Sequence, residues 1–152
     1  MEIGATKAVQ ERLKTIKVSE MKGAFPVFCW DTHLTKIQGR NVLFIVNASN
    51  RYTIAMTNIK PGDCKHYTIY ISRAIHDAMQ EMGYSEEQIK QYFNISGDMA
   101  VTKTHGRKSV GGINRMAADA QYFGKKLEKE AKYQQDSPVN YLNQTWNDQG
   151  SP

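Results

Sequence analysis

The chain carries only two cysteines, four prolines and two tryptophans in 152 residues. Cys29 and Cys64 stand far apart, too few and too distant for a disulfide-built scaffold, and the expected state is two buried free thiols in a reducing compartment. No apolar run approaches the roughly 20 residues of a membrane helix, so no membrane partner is expected. The N-terminus lacks the basic-then-apolar layout of a secretory signal, which makes the cytoplasm the expected location. No internal repeat is visible. One stretch lacks acid altogether: VTKTHGRKSVGGINR, residues 101 to 115, holds Lys103, His105, Arg107, Lys108 and Arg115 around the pair Gly111-Gly112.

What is present is a globular composition. Apolar residues make up 40% and aromatics 10%, which excludes a disordered polar chain and suffices for one hydrophobic core. Twenty basic against fifteen acidic side chains leave a net charge of +5, which favours an anionic partner: a nucleotide, a nucleic acid or an acidic protein surface.

Local signals outline the elements. Val9, Leu13 and Ile16 recur at helical spacing after Thr6, a candidate N-cap. The run FPVFCW reads equally as a buried strand or a packed loop. Two β-rich runs, 42–46 and 51–57, flank the turn-forming Asn47-Ala48-Ser49-Asn50 and predict a hairpin; the first run is apolar throughout, as an interior strand would be. After Pro61-Gly62, Ile71, Ala74, Ile75, Ala78, Met79 and Met82 predict a helix stopping at Gly83. Ser85 followed by Gln88 has the form of a capping box opening a shorter helix with Ile89, Tyr92 and Phe93 on its apolar side. A short strand follows near 99–104, and Ile113, Met116, Ala117, Ala120, Phe123 and Leu127 predict a last helix to about Tyr133. The expected fold is α+β, a small, mainly antiparallel sheet around the 42–57 hairpin with helices packed against it. The expected organisation is one domain over 1–133 and a polar tail over 134–152. Tyr141, Leu142 and Trp146 equip that tail to dock on its own domain or on a second copy.

Three sets of residues suggest chemistry. In the basic stretch, Lys103, His105, Arg107, Lys108 and Arg115 supply charge, Ser109 and Asn114 neutral hydrogen bonds, and Gly111 and Gly112 close backbone approach to phosphate oxygens. It is not a P-loop, whose Gly-x-x-x-x-Gly-Lys-Ser/Thr spacing is missing; the plain reading is a solvated turn before a helix. In the hairpin loop, Asn47, Asn50, Arg51 and Tyr52 combine amides, a cation and an aromatic plane suited to a nucleobase, with Trp30 as a wall. The plain reading there is a turn whose asparagines satisfy its own backbone. The triplets His33-Leu34-Thr35 and His66-Tyr67-Thr68 match the paired motif of two-histidine phosphoesterases, one histidine acting as base and the other as acid. Cys29, His33, Cys64 and His66 do not have the spacing of a zinc knuckle, so no metal and no cofactor is expected.

Trp30 with His33, Gly39-Arg40, Asn47-x-x-x-Arg51-Tyr52, and Thr102-Lys103-Thr104-x-x-Arg107 with Asn114 together resemble a family of small uncharacterised bacterial and phage proteins. The likeness spans roughly residues 3 to 120. That family has no assigned activity, so the resemblance implies no catalytic residues. It implies that the hairpin loop and the basic stretch form one recurring site. The expected function is therefore non-enzymatic: binding and sequestering a phosphorylated ligand, a nucleotide or cyclic oligonucleotide signal, as a phage anti-defence protein would in the host cytosol. Under that reading nucleic acid binds more weakly; the alternatives are a nucleic-acid-binding protein whose same cations track a backbone, an inhibitor docking on a protein, and the two-histidine phosphoesterase.

Overall fold

The computed structural model describes residues 1–13, 16–37, 39–57, 66–106, 111 and 115. The elements are β1 (Glu2–Ala5), α1 (Lys7–Arg12), a 3-10 turn (Pro26–Phe28), β2 (Cys29–Ile37), β3 (Arg40–Asn47), β4 (Thr53–Thr57), α2 (Tyr67–Glu81), α3 (Glu86–Ser96) and β5 (Ala100–Thr102). They form one five-stranded sheet in the order β4-β3-β2-β1-β5. The fold is α+β, as expected.

The hairpin is present where the turn residues placed it, with β3 and β4 antiparallel. β3 also pairs antiparallel with β2 over its whole length, from Trp30–Asn47 to Ile37–Arg40. An interior strand shields both of its faces, and Val42 to Val46 are all buried. The other side of the sheet is parallel: β1 pairs with β2 on one edge and with β5 on the other. The sheet is thus mixed, with the longer ladders antiparallel.

Strand alternation divides the side chains between two faces. Ile3, Ala5, Trp30, Leu43, Ile45, Ile54 and Val101 face Ile71, Ile75, Ala78 and Met79 of α2 and Ile89 of α3, in one buried cluster. Each fully buried isoleucine contributes about 1.5–3 kcal/mol by leaving water. Glu2, Gly4, Cys29, Asp31, His33, Phe44 and Val46 point to the opposite face, where Cys29, Asp31, Phe44 and Val46 are also buried.

The helices begin and end for local reasons. Ser85 accepts the Gln88 backbone N–H at 3.2 Å and Gln88 returns a bond to the Ser85 N–H at 2.9 Å, so the capping box is formed as expected. Glu86 and Glu87 add negative charge to the same first turn, where the helix dipole favours it. α1 is shorter than the spacing of Val9, Leu13 and Ile16 predicts, ending at Arg12. Thr6 flanks it without a side-chain capping bond, its hydroxyl lying 3.1 Å from His33 Nδ1 instead. The expected last helix and the tail over 134–152 lie outside the described residues, except that Gly111 and Arg115 are helical.

Two strands were not expected. β1 is four residues long, too short for any periodicity to register. The ambiguous FPVFCW run divides between the 3-10 turn and β2, which starts at Cys29-Trp30 and continues through Asp31, His33 and Lys36, polar residues of low strand propensity. These two strands carry most of the site.

Candidate functional site

Where β1, β2 and the segment after β5 meet, two carboxylates enclose one imidazole. His105 Nδ1 lies 2.7 Å from Asp31 Oδ1, and Nε2 lies 2.9 Å from Glu2 Oε2. The His105 backbone N–H also donates to both Asp31 oxygens, at 3.1 and 3.2 Å. A ring that meets a carboxylate at each nitrogen donates from both and is an imidazolium. The Asp31 bond holds the His105 pKa above its usual value; burial opposes it, and the Glu2 bond reinforces it. Burial pushes the Glu2 carboxyl upward, but the bonds from His105 and from the Lys22 and Ala24 backbone N–H groups outweigh it and leave the pKa below normal.

The local sequence makes this arrangement accessible. In the parallel register Gly4 lies between Asp31 of β2 and Thr102 of β5. A Cβ at position 4 would stand 1.9 Å from Asp31 Oδ1 and 2.9 Å from the Thr104 Cα. The glycine opens the lane through which the Asp31 carboxylate crosses β1 to reach His105. Gly106 then turns the chain with φ of 99°, a conformation glycine adopts without steric cost.

Cys29 closes the cluster. Its Sγ lies 3.8 Å from Glu2 Oε2 and 3.5 and 3.4 Å from the carbonyl oxygens of Ala24 and Phe25. Burial, then the adjacent Glu2 charge, push the thiol pKa up to about 11, so Cys29 is a protonated donor and a poor nucleophile. Glu2, Cys29 and His105 each offer a ligand atom within 4.8 Å of the others, a grouping able to hold a metal ion.

The residues expected to bind ligand are distributed as follows. Lys103 is exposed beside the cluster, and Gly111 and Arg115 are exposed. His105 is not available to an anion: its ring is committed to Glu2 and Asp31, and two carboxylates beside it repel negative charge. Arg107, Lys108, Ser109, Gly112 and Asn114 lie outside the described residues. Asn47 is buried and spent on the turn: Nδ2 donates to the Val27 carbonyl at 3.0 Å, and Oδ1 accepts from Ser49 and Asn50. Asn50 Oδ1 accepts the Tyr52 N–H at 2.9 Å, while Arg51 holds φ of 61° at the turn. The turn's own backbone is therefore the first user of both amides.

Trp30, Asn50 and Tyr52 do share a groove of about 320 Å³ with Met79, Tyr84 and Tyr92. Trp30 Nε1 donates to Tyr92 Oη at 3.0 Å, and that hydroxyl donates to the Val27 carbonyl at 2.7 Å. This groove lies on the helix-covered face, whereas the His105 cluster is on the other. Trp30, Asn50 and Tyr52 therefore line a groove that the His105 ring does not share, while most of the basic stretch beyond it, expected to join them, lies outside the described residues.

The paired histidines are also separate. His33 stands on the face of Asp31, bonded to Thr6, with burial lowering its pKa. His66 is exposed at the start of α2, whose next residue Tyr67 bonds the Thr32 hydroxyl on the opposite face. Of the four Cys and His residues weighed as a zinc knuckle, Cys29 alone joins the cluster; Cys64 lies outside the described residues. His76 is a helix-surface residue bridging Asp77 and Glu86.

The sequence signal missed at this site was Gly4 opposite Asp31, legible only once the β1–β2 register is known. No helix among the described residues is long and apolar enough to cross a membrane. No curated protein matches the chain. A family match runs over residues 2–151, through the C-terminal stretch that the motif resemblance left out, and the chain belongs to the family described as Domain of unknown function (DUF6933).

Proposed function

We propose that the protein binds a phosphorylated ligand of nucleotide or cyclic-oligonucleotide type at the stretch 103–115 and withholds it without converting it. The observation that carries this reading is the anchorage of an acid-free basic segment: His105, two residues after the exposed Lys103, is clamped by two buried carboxylates. Lys103 and Arg115 are exposed, and Arg107 and Lys108 come next in sequence after the His105-Gly106 turn. His105 serves as the anchor and not as a phosphate ligand. The groove at Trp30 and Tyr52 plays no part in holding the same molecule.

Sequestration in place of turnover is supported by the state of the nearby reactive groups. Both ring nitrogens of His105 are occupied, and Cys29 is buried with its proton retained. A phage-borne version of such a protein would remove a host immune signal from circulation.

Calorimetric titration against a panel of nucleotides and cyclic oligonucleotides tests the reading. Charge-assisted contacts of about 1.5–3 kcal/mol imply roughly tenfold or greater loss of affinity in Arg107→Ala and in Arg115→Ala, with the ligand recovered intact after heat release. Undiminished affinity in both variants removes the site. A nucleic-acid surface instead shows a salt slope of about −0.9 per duplex phosphate contacted. Nanomolar binding to a generic duplex at physiological salt would favour that second reading.

A further inference from the structure

We propose that Glu2, Cys29 and His105 form a binding site for a divalent metal ion of the zinc type, with Asp31 holding the histidine in its ligating orientation. The donor set is a carboxylate, a thiol and an imidazole, a combination that selects borderline-soft ions such as Zn²⁺ over magnesium or calcium. The three ligand atoms converge from β1, β2 and the segment after β5, all within 4.8 Å of one another. Tetrahedral ligands around zinc sit about 3.3–3.6 Å apart. The Glu2 Oε2 to His105 Nε2 distance of 2.9 Å and the Oε2 to Cys29 Sγ distance of 3.8 Å bracket that range. Side-chain adjustments of a few tenths of an ångström bring these two pairs to it, and closure of the sulfur toward the ring completes the triangle.

The atoms that would bind the ion are set free by the atoms that would not. Glu2 Oε1 is taken by the Lys22 backbone N–H at 2.6 Å, which turns Oε2 inward. His105 Nδ1 is taken by Asp31 at 2.7 Å, which leaves Nε2 facing Glu2 and Cys29. A carboxylate bonded to the distal nitrogen of a ligating histidine fixes its tautomer and orientation and strengthens it as a donor. Here that carboxylate is fully buried and admitted by Gly4.

Charge also balances. Without metal the cluster holds two carboxylates, an imidazolium and a neutral thiol, a total of about −1. One Zn²⁺ entering as the imidazolium and the thiol each release a proton leaves the same total of about −1. The ion replaces two protons, so a buried site takes it up with no net change in charge. Three protein ligands leave the fourth tetrahedral position for a water molecule, on the side where the His105 ring is partly exposed.

The test uses the full chain stripped with a chelator and titrated with Co²⁺ and with Zn²⁺. The expected result is one metal per chain, a cobalt–thiolate charge-transfer absorption, and a melting temperature that rises with free zinc. The absorption should vanish in Cys29→Ser and persist in Cys64→Ser. Asp31→Asn, tested as a positioning residue, should bind zinc about 10–100-fold more weakly while keeping the thiolate band. If Cys29→Ser fails to fold, X-ray absorption on the wild-type zinc protein decides, with one sulfur among nitrogen and oxygen ligands expected. No uptake, a band that survives Cys29→Ser or disappears in Cys64→Ser, or a zinc shell with no sulfur or several, overturns the proposal.

Discussion

The same five strands present two faces built on different physics. Toward α2 and α3, Ile3, Trp30, Ile45, Ile54 and Val101 meet Ile71, Ile75 and Ile89 in a cluster held by apolar burial. That attraction is non-directional, and side chains of similar volume can replace one another at modest cost. On the other face, Glu2, Asp31 and Cys29 are buried around the partly exposed His105, and each polar atom needs a partner at a particular distance. One face tolerates repacking; the other is nearly all-or-none. A buried ion pair adds little net stability over an apolar replacement, yet removing one partner strands a charge.

The largest effect is expected from the smallest substitution. Gly4→Ala places a methyl 1.9 Å from Asp31 Oδ1 and forces that carboxylate off His105. Stranding buried charge costs about 3–5 kcal/mol, so chemical denaturation should show a loss of that order, with His105 losing its shifted titration by NMR. A change below about 1 kcal/mol would mean that the lane past Gly4 is not what holds the cluster together.

On the opposite face, Ile75→Ala should cost about 2–5 kcal/mol through lost burial and a residual cavity. Ile75→Val should recover most of it, since an Ile-to-Val change costs roughly 0.5–1.5 kcal/mol. Equal losses for the two variants would contradict the view of this face as plain apolar packing.

Stability against pH separates the faces more sharply. With a chelator present, the raised pKa of His105 gives stability that is complete below its ordinary value of 6.5 and is lost as pH rises through the higher folded value. The lowered pKa of Glu2 gives stability present above its ordinary 4.5 and lost as pH falls through the lower folded value. The joint contribution is greatest between 4.5 and 6.5 and declines on both sides. Glu2→Gln should remove the acid decline and weaken the alkaline one, whereas Ile75→Ala should lower the whole curve without reshaping it. His33 and His76 titrate in every one of these proteins and cancel in the differences. Parallel curves for wild type and Glu2→Gln would deny the cluster its electrostatic role.

The smallest effect is local to one helix. Ser85→Ala removes the hydroxyl that caps α3 and should cost about 1 kcal/mol, with no change in the pH profile. A much larger loss would show that α3 is coupled to the cluster on the far face.

Legibility followed the range of the interaction. The β3–β4 hairpin, α2, the capped start of α3 and the short β5 could all be read, because turn chemistry, helical spacing and a capping box act within a few residues. β1 offered four residues, and β2 carried Asp31, His33 and Lys36 where a strand pattern favours β-branched and aromatic residues. The placement of His105 away from the Trp30–Tyr52 groove could not be read, because periodicity says which side of a strand a residue takes, not where another strand lies. Trp30 and Tyr52 turn toward the helices, while His105 joins the other face.

The sequence by itself determined the charge, the acid-free stretch, the apolar face of each helix and the turns, since these depend on composition and on neighbours in the chain. Only the tertiary structure decided that Glu2 and His105, 103 residues apart, would share a hydrogen bond. It did so by inserting β1 in parallel between β2 and β5, in the register that sets Gly4 beside Asp31. A shift of one residue would turn Glu2 toward the helices and put Ile3 among the carboxylates, because adjacent strand residues point to opposite faces. The cluster is thus a product of strand order and register, two properties that no short stretch of this chain encodes.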